Sequence, residues 1–312
     1  METTTNAATA PVSPGSSTAW VPTTGGHELS LQSLAPGAPG GAEASPAAVL
    51  LVHGLFSDAR FFGGADKGPA RFFVEHGYRV FLGELRGHGQ SRRTGKRAYD
   101  WSFDAYAQDD IPALIRAARA QHKGPLFLLC HSMSGYAALA GLGVHPELQR
   151  ELAGVCTLSS AVNDYGDGGF KKHVLIRFSS ILGGLLGRFP AKAMKQGTAD
   201  EPGRMMKQFA AWAKRGSFAS EDGSIDYWAA LQKVTLPVFV AVGEADVFHA
   251  SPRRGQKLVD ALGSDRKEFV IAGRSQGFGH DYGHVDILRS SKASAEVLPR
   301  VHAFFQSIPG RT

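Results

Sequence analysis

Six short apolar runs, near 47–52, 78–83, 125–131, 152–159, 236–242 and 267–272, are separated by longer segments, several of them with helical periodicity, near 66–76, 104–121, 134–144, 252–262 and 292–306. No other feature constrains the fold as much. A strand that is apolar throughout has no face to give to water, so it belongs inside a sheet covered on both sides. Strands joined through helices run parallel, and the chain is therefore expected to be an α/β protein with a mostly parallel central sheet flanked by helices. In such sheets ligands bind beyond the carboxyl ends of the strands. That directs the search for chemistry to the residues that follow each run.

Ahead of the first run, STAWVP and HELSLQSL flank TTGG and alternate as strands do, which predicts a hairpin. Residues 1–16 are Thr, Ala, Ser and Pro with almost nothing to bury and are expected to be a disordered tail; the Ala/Pro/Gly stretch 35–46 reads as a loop. Between about 163 and 233 the rhythm breaks. No strand pattern occurs there, and apolar groups such as VLIRFSSILGGLLGRF and MMKQFAAWA alternate with basic residues. This reads as several short helices inserted after a strand, a helical cap or lid on a core formed by 17–162 and 234–312. From Lys171 to Arg215 ten Lys/Arg face only two acidic residues, Asp200 and Glu201. Such a cap suits an apolar or anionic substrate, and an ordinary solvated helical insertion accounts for the pattern equally well. Phe178, Leu182, Leu185, Leu186, Phe209 and Trp212 are candidates to line an acyl pocket, and helix packing accounts for them equally well.

Composition excludes several classes. The net charge is +6, but 34 basic and 28 acidic residues are interspersed and no Lys/Arg run of the nucleic-acid type occurs. The N-terminus lacks a basic n-region and an apolar h-region, and no apolar stretch approaches the roughly 18 residues of a spanning helix. A soluble, cytoplasmic protein without stable membrane insertion is expected. Cys130 and Cys156, the only two cysteines, fall inside apolar runs and read as buried free thiols.

The chemistry lies at the strand ends. After the first run comes HGLFSD (53–58), where glycine permits a sharp turn that leaves the amide of the next residue, Leu55, free as an oxyanion donor. The run at 78–83 leads into GELRGHGQS (83–91), a glycine-rich turn that shapes the rim of the site. The third run enters CHSMSG (130–135) and then a helix, the strand–turn–helix context of a nucleophilic serine. Close approach of strand and helix requires small residues two before and two after the nucleophile. Cys130 and Ser134 meet that demand around Ser132, whereas centring on Ser134 would put Tyr136 at a small position. Met133 would supply the second oxyanion N–H at a helix start.

A serine needs a base, and the base an orienting carboxylate. LPVFVAVGEAD offers Asp246, with Glu244 as a neighbouring alternative. GFGHDYGHVDIL offers His284, chosen over His280, with Asp286 orienting the loop or replacing Asp246. His280 and His284 with Asp281 and Asp286 also resemble a metal-ligand set, but Gly279 and Gly283 argue against a regular helix presenting both imidazoles. No metal or cofactor is called for.

LLVHGLF, ELRGHGQS, CHSMSG, VGEAD and YGHVDIL, in this order, resemble the α/β-hydrolase superfamily over about residues 18–308, and most of all its serine esterases and lipases, including monoacylglycerol-lipase-like members. The resemblance implies a Ser132–Asp246–His284 triad, an oxyanion hole from the amides of Leu55 and Met133 (or Phe56 in place of Leu55), and a cap at about 163–233. It implies hydrolysis of a small-molecule or lipid-like carboxylic ester through an acyl-enzyme. Acyltransferase, thioesterase or non-catalytic ligand binding on the same fold are the alternatives.

Overall fold

The computed structural model describes residues 16–35, 46–64, 66–93, 99–167 and 169–308. Most of the expected tail and of the 35–46 loop lies outside these residues. In chain order the strands are β1 (Ser16–Thr23), β2 (His27–Leu34), β3 (Ala48–Val52), β4 (Arg79–Gly83), β5 (Arg92–Arg93), β6 (Leu126–His131), β7 (Gly154–Leu158), β8 (Arg188–Phe189), β9 (Glu201–Pro202), β10 (Val238–Gly243) and β11 (Lys267–Ala272). The α-helices are α1 (Gly68–Glu75), α2 (Phe103–Ala105), α3 (Ile111–Gln121), α4 (Met133–Val144), α5 (Gly169–Leu186), α6 (Gly203–Arg215), α7 (Tyr227–Leu231), α8 (Pro252–Asp260), α9 (Asp286–Arg289) and α10 (Ser291–Gln306), and a π-helical turn, Tyr106–Asp110, joins α2 to α3.

The main sheet has the order β1-β2-β4-β3-β6-β7-β10-β11, with β5 paired to β2. The six strands from β4 to β11 in that order pair parallel, and the β1–β2 hairpin adds an antiparallel edge through β2–β4. The six apolar runs are these six parallel strands.

Alternation of side chains along a strand explains why β3, AVLLV, is apolar at every position. Ala48, Leu50 and Val52 enter one core layer together with Leu114 and Ile115 of α3 and Ala137 of α4. Val49 and Leu51 enter the opposite layer with Phe73 of α1 and Val301 and Phe305 of α10. Both faces of the sheet are thus roofed by helices. Cys130 and Cys156 are buried free thiols, as their positions in β6 and β7 required.

The inserted stretch is less uniform than its sequence suggested. It contains an 18-residue helix, α5, and a two-stranded piece in which β8 pairs antiparallel with β9. Two-residue strands carry no periodicity to read. The pairing brings Arg188 and Phe189 opposite Pro202 and Glu201 and closes the chain between α5 and α6.

Candidate active site

Beyond the carboxyl end of β6 the backbone turns at Ser132 with φ 59° and ψ −126°, and α4 starts at Met133. A non-glycine residue at positive φ costs on the order of 1–3 kcal/mol and persists only when its surroundings fix it. Here they do. Ser132 N–H donates to Leu158 O (2.9 Å), and Ser132 O accepts from Ser160 Oγ (2.8 Å) and Gly135 N–H (3.0 Å).

The two residues that occupy the small positions differ in what they contribute. Cys130 is buried and inert, its thiol pushed up to about 12 by burial. Ser134 does what glycine cannot, since its hydroxyl lies 2.8 Å from Val52 O and 3.0 Å from His131 O and links the end of β3 to the turn. These contacts and its burial leave Ser134 outside the set assembled around His284. The closest approach falls one residue later than the spacing implied. A Cβ on Gly135 would sit 2.0 Å from Ser160 Oγ.

His284 follows β11 through a loop and meets both partners. Its Nε2 lies 2.9 Å from Ser132 Oγ and its Nδ1 2.6 Å from Asp246 Oδ2. A carboxylate only accepts, so the proton is on Nδ1 and the free pair on Nε2 faces the serine hydroxyl. Asp246 follows β10, is almost wholly buried, and accepts a second bond from His249 N–H through Oδ1 (3.0 Å). Burial would raise its carboxyl, but the His284 hydrogen bond and nearby backbone amides hold it below its ordinary value.

Two further imidazoles pack against His284. His131 Nε2 donates to His284 O (2.8 Å) with ring centroids 5.0 Å apart, and the His249 ring stands 4.5 Å away. Burial, reinforced by the nearby His284, lowers them to about 3 and about 4, so both are neutral near pH 7.

The alternatives lie elsewhere. His280 Nε2 is 3.2 Å from Asp286 Oδ2, and Asp286 Oδ1 accepts Gly283 N–H, so both belong to the loop that carries His284. Glu244 accepts Ser275 N–H. Among the described residues no group of His, Cys, Asp and Glu is arranged to hold a metal.

On the opposite side, Gly54 crosses Ser132 so closely that a Cβ would lie 2.8 Å from Ser132 Cβ. Among the described residues neither Leu55 N–H nor Met133 N–H has an acceptor. Phe56, the alternative donor, is not free. Its amide donates to Glu201 Oε1 at 3.1 Å.

That contact reveals a group that reading the strand ends missed. Glu201 is fully buried, and its carboxylate also meets His88 Nε2 (3.0 Å) and the Tyr106 hydroxyl (2.9 Å). Asp200 and Glu201 were the only carboxylates in a basic stretch, which was the signal available. Phe209 and Trp212 are buried among Phe103, Tyr136 and Phe218, a core position, whereas Phe178, Leu185 and Leu186 face solvent.

A family model described as serine aminopeptidase, S33, matches residues 43–209, more than half of the chain. The chain belongs to this family. Triacylglycerol lipase 1 of Arabidopsis thaliana is 29% identical over 130 residues, which are 39% of this chain and 33% of the plant protein. The chain thus spans about a third of that relative's length. Among solved structures, a monoacylglycerol lipase of Paleococcus ferrophilus superposes with a TM-score of 0.57 at 17% identity, covering 88% of this chain and 98% of the other. A thermophilic esterase of Thermogutta terrifontis gives 0.54 at 17%, covering 93% and 99%. With the parallel sheet described above, these likenesses make the fold of this family member the α/β-hydrolase fold. No described helix of the chain is long and apolar enough to cross a membrane.

Proposed function

We propose that the protein hydrolyses carboxylic esters with Ser132 as nucleophile, His284 as base and Asp246 as the carboxylate that orients it. The observation that carries this reading is the unbroken chain Asp246 Oδ2, His284 Nδ1 and Nε2, Ser132 Oγ, with links of 2.6 and 2.9 Å. Membership of the family and lipase and esterase relatives support it.

Ser132 Oγ bonds to the ester carbonyl carbon, its proton passes to His284 Nε2, and the carbonyl π pair moves onto oxygen. The oxyanion is received by the amides of Leu55 and Met133, each worth about 2.7–4 kcal/mol of barrier. Collapse breaks the C–O bond, the alcohol leaves with the proton from His284, and an acyl-enzyme remains. Water, deprotonated by the same imidazole, then attacks that carbonyl; collapse returns the proton to Ser132 Oγ and frees the acid.

The insertion at about 163–233 acts in this reading as a cap, and its surface bears on the substrate. Between Lys171 and Arg215 both carboxylates, Asp200 and Glu201, are buried, and the exposed acids of the insertion, Glu221, Asp222 and Asp226, follow α6. At about 100° per residue, the exposed side chains of Phe170, Val174, Phe178, Ile181 and Leu185 lie within an arc of about 80° on α5. The apolar arc favours an apolar, lipid-like ester.

Ser132→Ala should abolish both turnover of p-nitrophenyl esters and labelling by a fluorophosphonate. Labelling of that variant at the wild-type rate would disprove the assignment. Acyl release to water against release to an added alcohol or thiol separates a hydrolase from an acyltransferase. Acyl-thioester turnover tests the thioesterase alternative.

A further inference from the structure

We propose that Glu201 is a positioning residue through which the inserted segment completes the oxyanion-binding turn. This rests on the esterase reading above and assigns to the insertion a part in forming the site as well as covering it.

The turn after β3 is held one peptide at a time. His53 Nδ1 donates to Gly54 O at 2.9 Å, while His53 Nε2 accepts Leu85 N–H at 3.3 Å. The peptide is planar and trans, so fixing Gly54 O on one side directs Leu55 N–H to the other. The next residue, Phe56, has φ 58°, a conformation that a bulky side chain resists. Both its polar backbone groups are gripped by the insertion. Its N–H donates to Glu201 Oε1 (3.1 Å), and its carbonyl accepts from Thr198 N–H (2.6 Å) and Ala199 N–H (3.1 Å). Leu55 N–H lies between these two restraints.

Glu201 itself is fixed. Tyr106 O–H donates to Oε2 and in turn accepts Trp101 Nε1–H (2.9 Å). His88 Nδ1 faces Arg86 O at 2.9 Å and its Nε2 faces Glu201 Oε1. Both ring nitrogens oppose oxygens that accept, so His88 is an imidazolium paired with the carboxylate. Although burial would lower His88, the Glu201 charge and hydrogen bond raise it above its ordinary value. The Glu201 side chain, fixed between the turn at 83–91 and β9, thus sets where Phe56 N–H is held. Withdrawing its acceptor oxygen would let the strained turn relax and carry Leu55 N–H away from the oxyanion.

Length and charge of the side chain separate this role from general support of the cap. Glu201→Gln keeps the reach and an acceptor for Phe56 N–H, and Glu201→Asp keeps the charge but withdraws the oxygens. In the full chain, Glu201→Asp is expected to lower kcat for p-nitrophenyl butyrate about 100-fold, as for displacing one oxyanion donor, with KM within about twofold. Glu201→Gln should stay within about 10-fold of wild type, a conservative rescue. Affinity for a trifluoromethyl ketone, which forms a tetrahedral oxyanion on Ser132, should fall with kcat/KM across the series. A structural role would instead move KM and the melting temperature. Wild-type kcat in Glu201→Asp, or loss confined to KM, would overturn the proposal. If Glu201→Asp fails to fold, Tyr106→Phe decides, because it removes the hydroxyl that fixes Glu201 Oε2 while keeping the ring and the carboxylate; a parallel fall in kcat and ketone affinity would support the proposal, and unchanged kcat and ketone affinity would overturn it. Fluorophosphonate labelling distinguishes the two levels. If Ser132→Ala stays active, the esterase assignment and with it this proposal fall; if activity needs Ser132 yet ignores the Glu201 series, only the positioning role falls.

Discussion

Asp246→Asn tests the base and its orientation together. Asp246 Oδ1 accepts the backbone N–H of His249, a group that can only donate, so the asparagine carbonyl oxygen must stay on that side. Its NH2 is then turned toward His284 Nδ1, 2.6 Å away in the native pair. Two donors cannot face each other, and His284 shifts its proton to Nε2. That proton points at Ser132 Oγ, where the native ring holds its free pair. The ring keeps its place but can no longer take the serine proton. Loss of the correct tautomer in a serine triad costs about 10⁴ in kcat, or about 5.4 kcal/mol at about 1.36 kcal/mol per decade. Because the number of hydrogen bonds is conserved, the melting temperature should fall by only a few degrees. Steady-state hydrolysis of p-nitrophenyl butyrate near pH 7.5 provides the assay, with fluorophosphonate labelling declining in parallel. A variant that keeps more than about a tenth of wild-type kcat would refute this account of Asp246 and turn attention to Glu244.

Exchange of the two histidines gives an asymmetric result: His284→Ala loses nearly all turnover, whereas His280→Ala, which breaks the contacts to Asp286 and the Tyr282 ring, keeps most of it, as steady-state kinetics would show. Gly135→Ala forces a Cβ to within 2.0 Å of Ser160 Oγ and should cost roughly 1–3 kcal/mol in urea unfolding; a wild-type midpoint would disprove the close approach. Stability should fall as pH drops from about 6 to 5. His53 and His131 are held at about 3 and His249 at about 4, chiefly by burial, so in this window the unfolded chain binds more protons than the folded one. His27 is held at about 4 in the same way, and these four groups together contribute up to about 5.4 kcal/mol per pH unit, offset in part by Glu84 and Asp110, whose carboxyls burial raises. His88, raised in the folded state, is protonated in both states there and adds nothing. A melting temperature that is flat or rises on acidification over this range would contradict the assignment.

The parallel strands were legible from the residue pattern alone, for a physical reason. A strand buried on both faces must be apolar throughout, so β3, β6 and β10 are visible as runs, and Leu55, Ser132 and Asp246 follow where those runs stop. Chain order pointed to His284, with spacing alone only preferring it over His280. Their different surroundings are tertiary, because the fold of the 279–286 loop turns one imidazole toward Ser132 and the other toward Asp286. The role of Ser134 and the close approach at Gly135 were likewise invisible, since they depend on which atoms of β3 and of the β7 loop come near the turn. The least legible element was β9. Two residues have no period, and a carboxylate in a basic stretch looks like a solvated charge until folding buries it. Local pattern reports what each segment buries, but only the packed chain shows that Glu201, 145 positions beyond Phe56, holds that residue's amide.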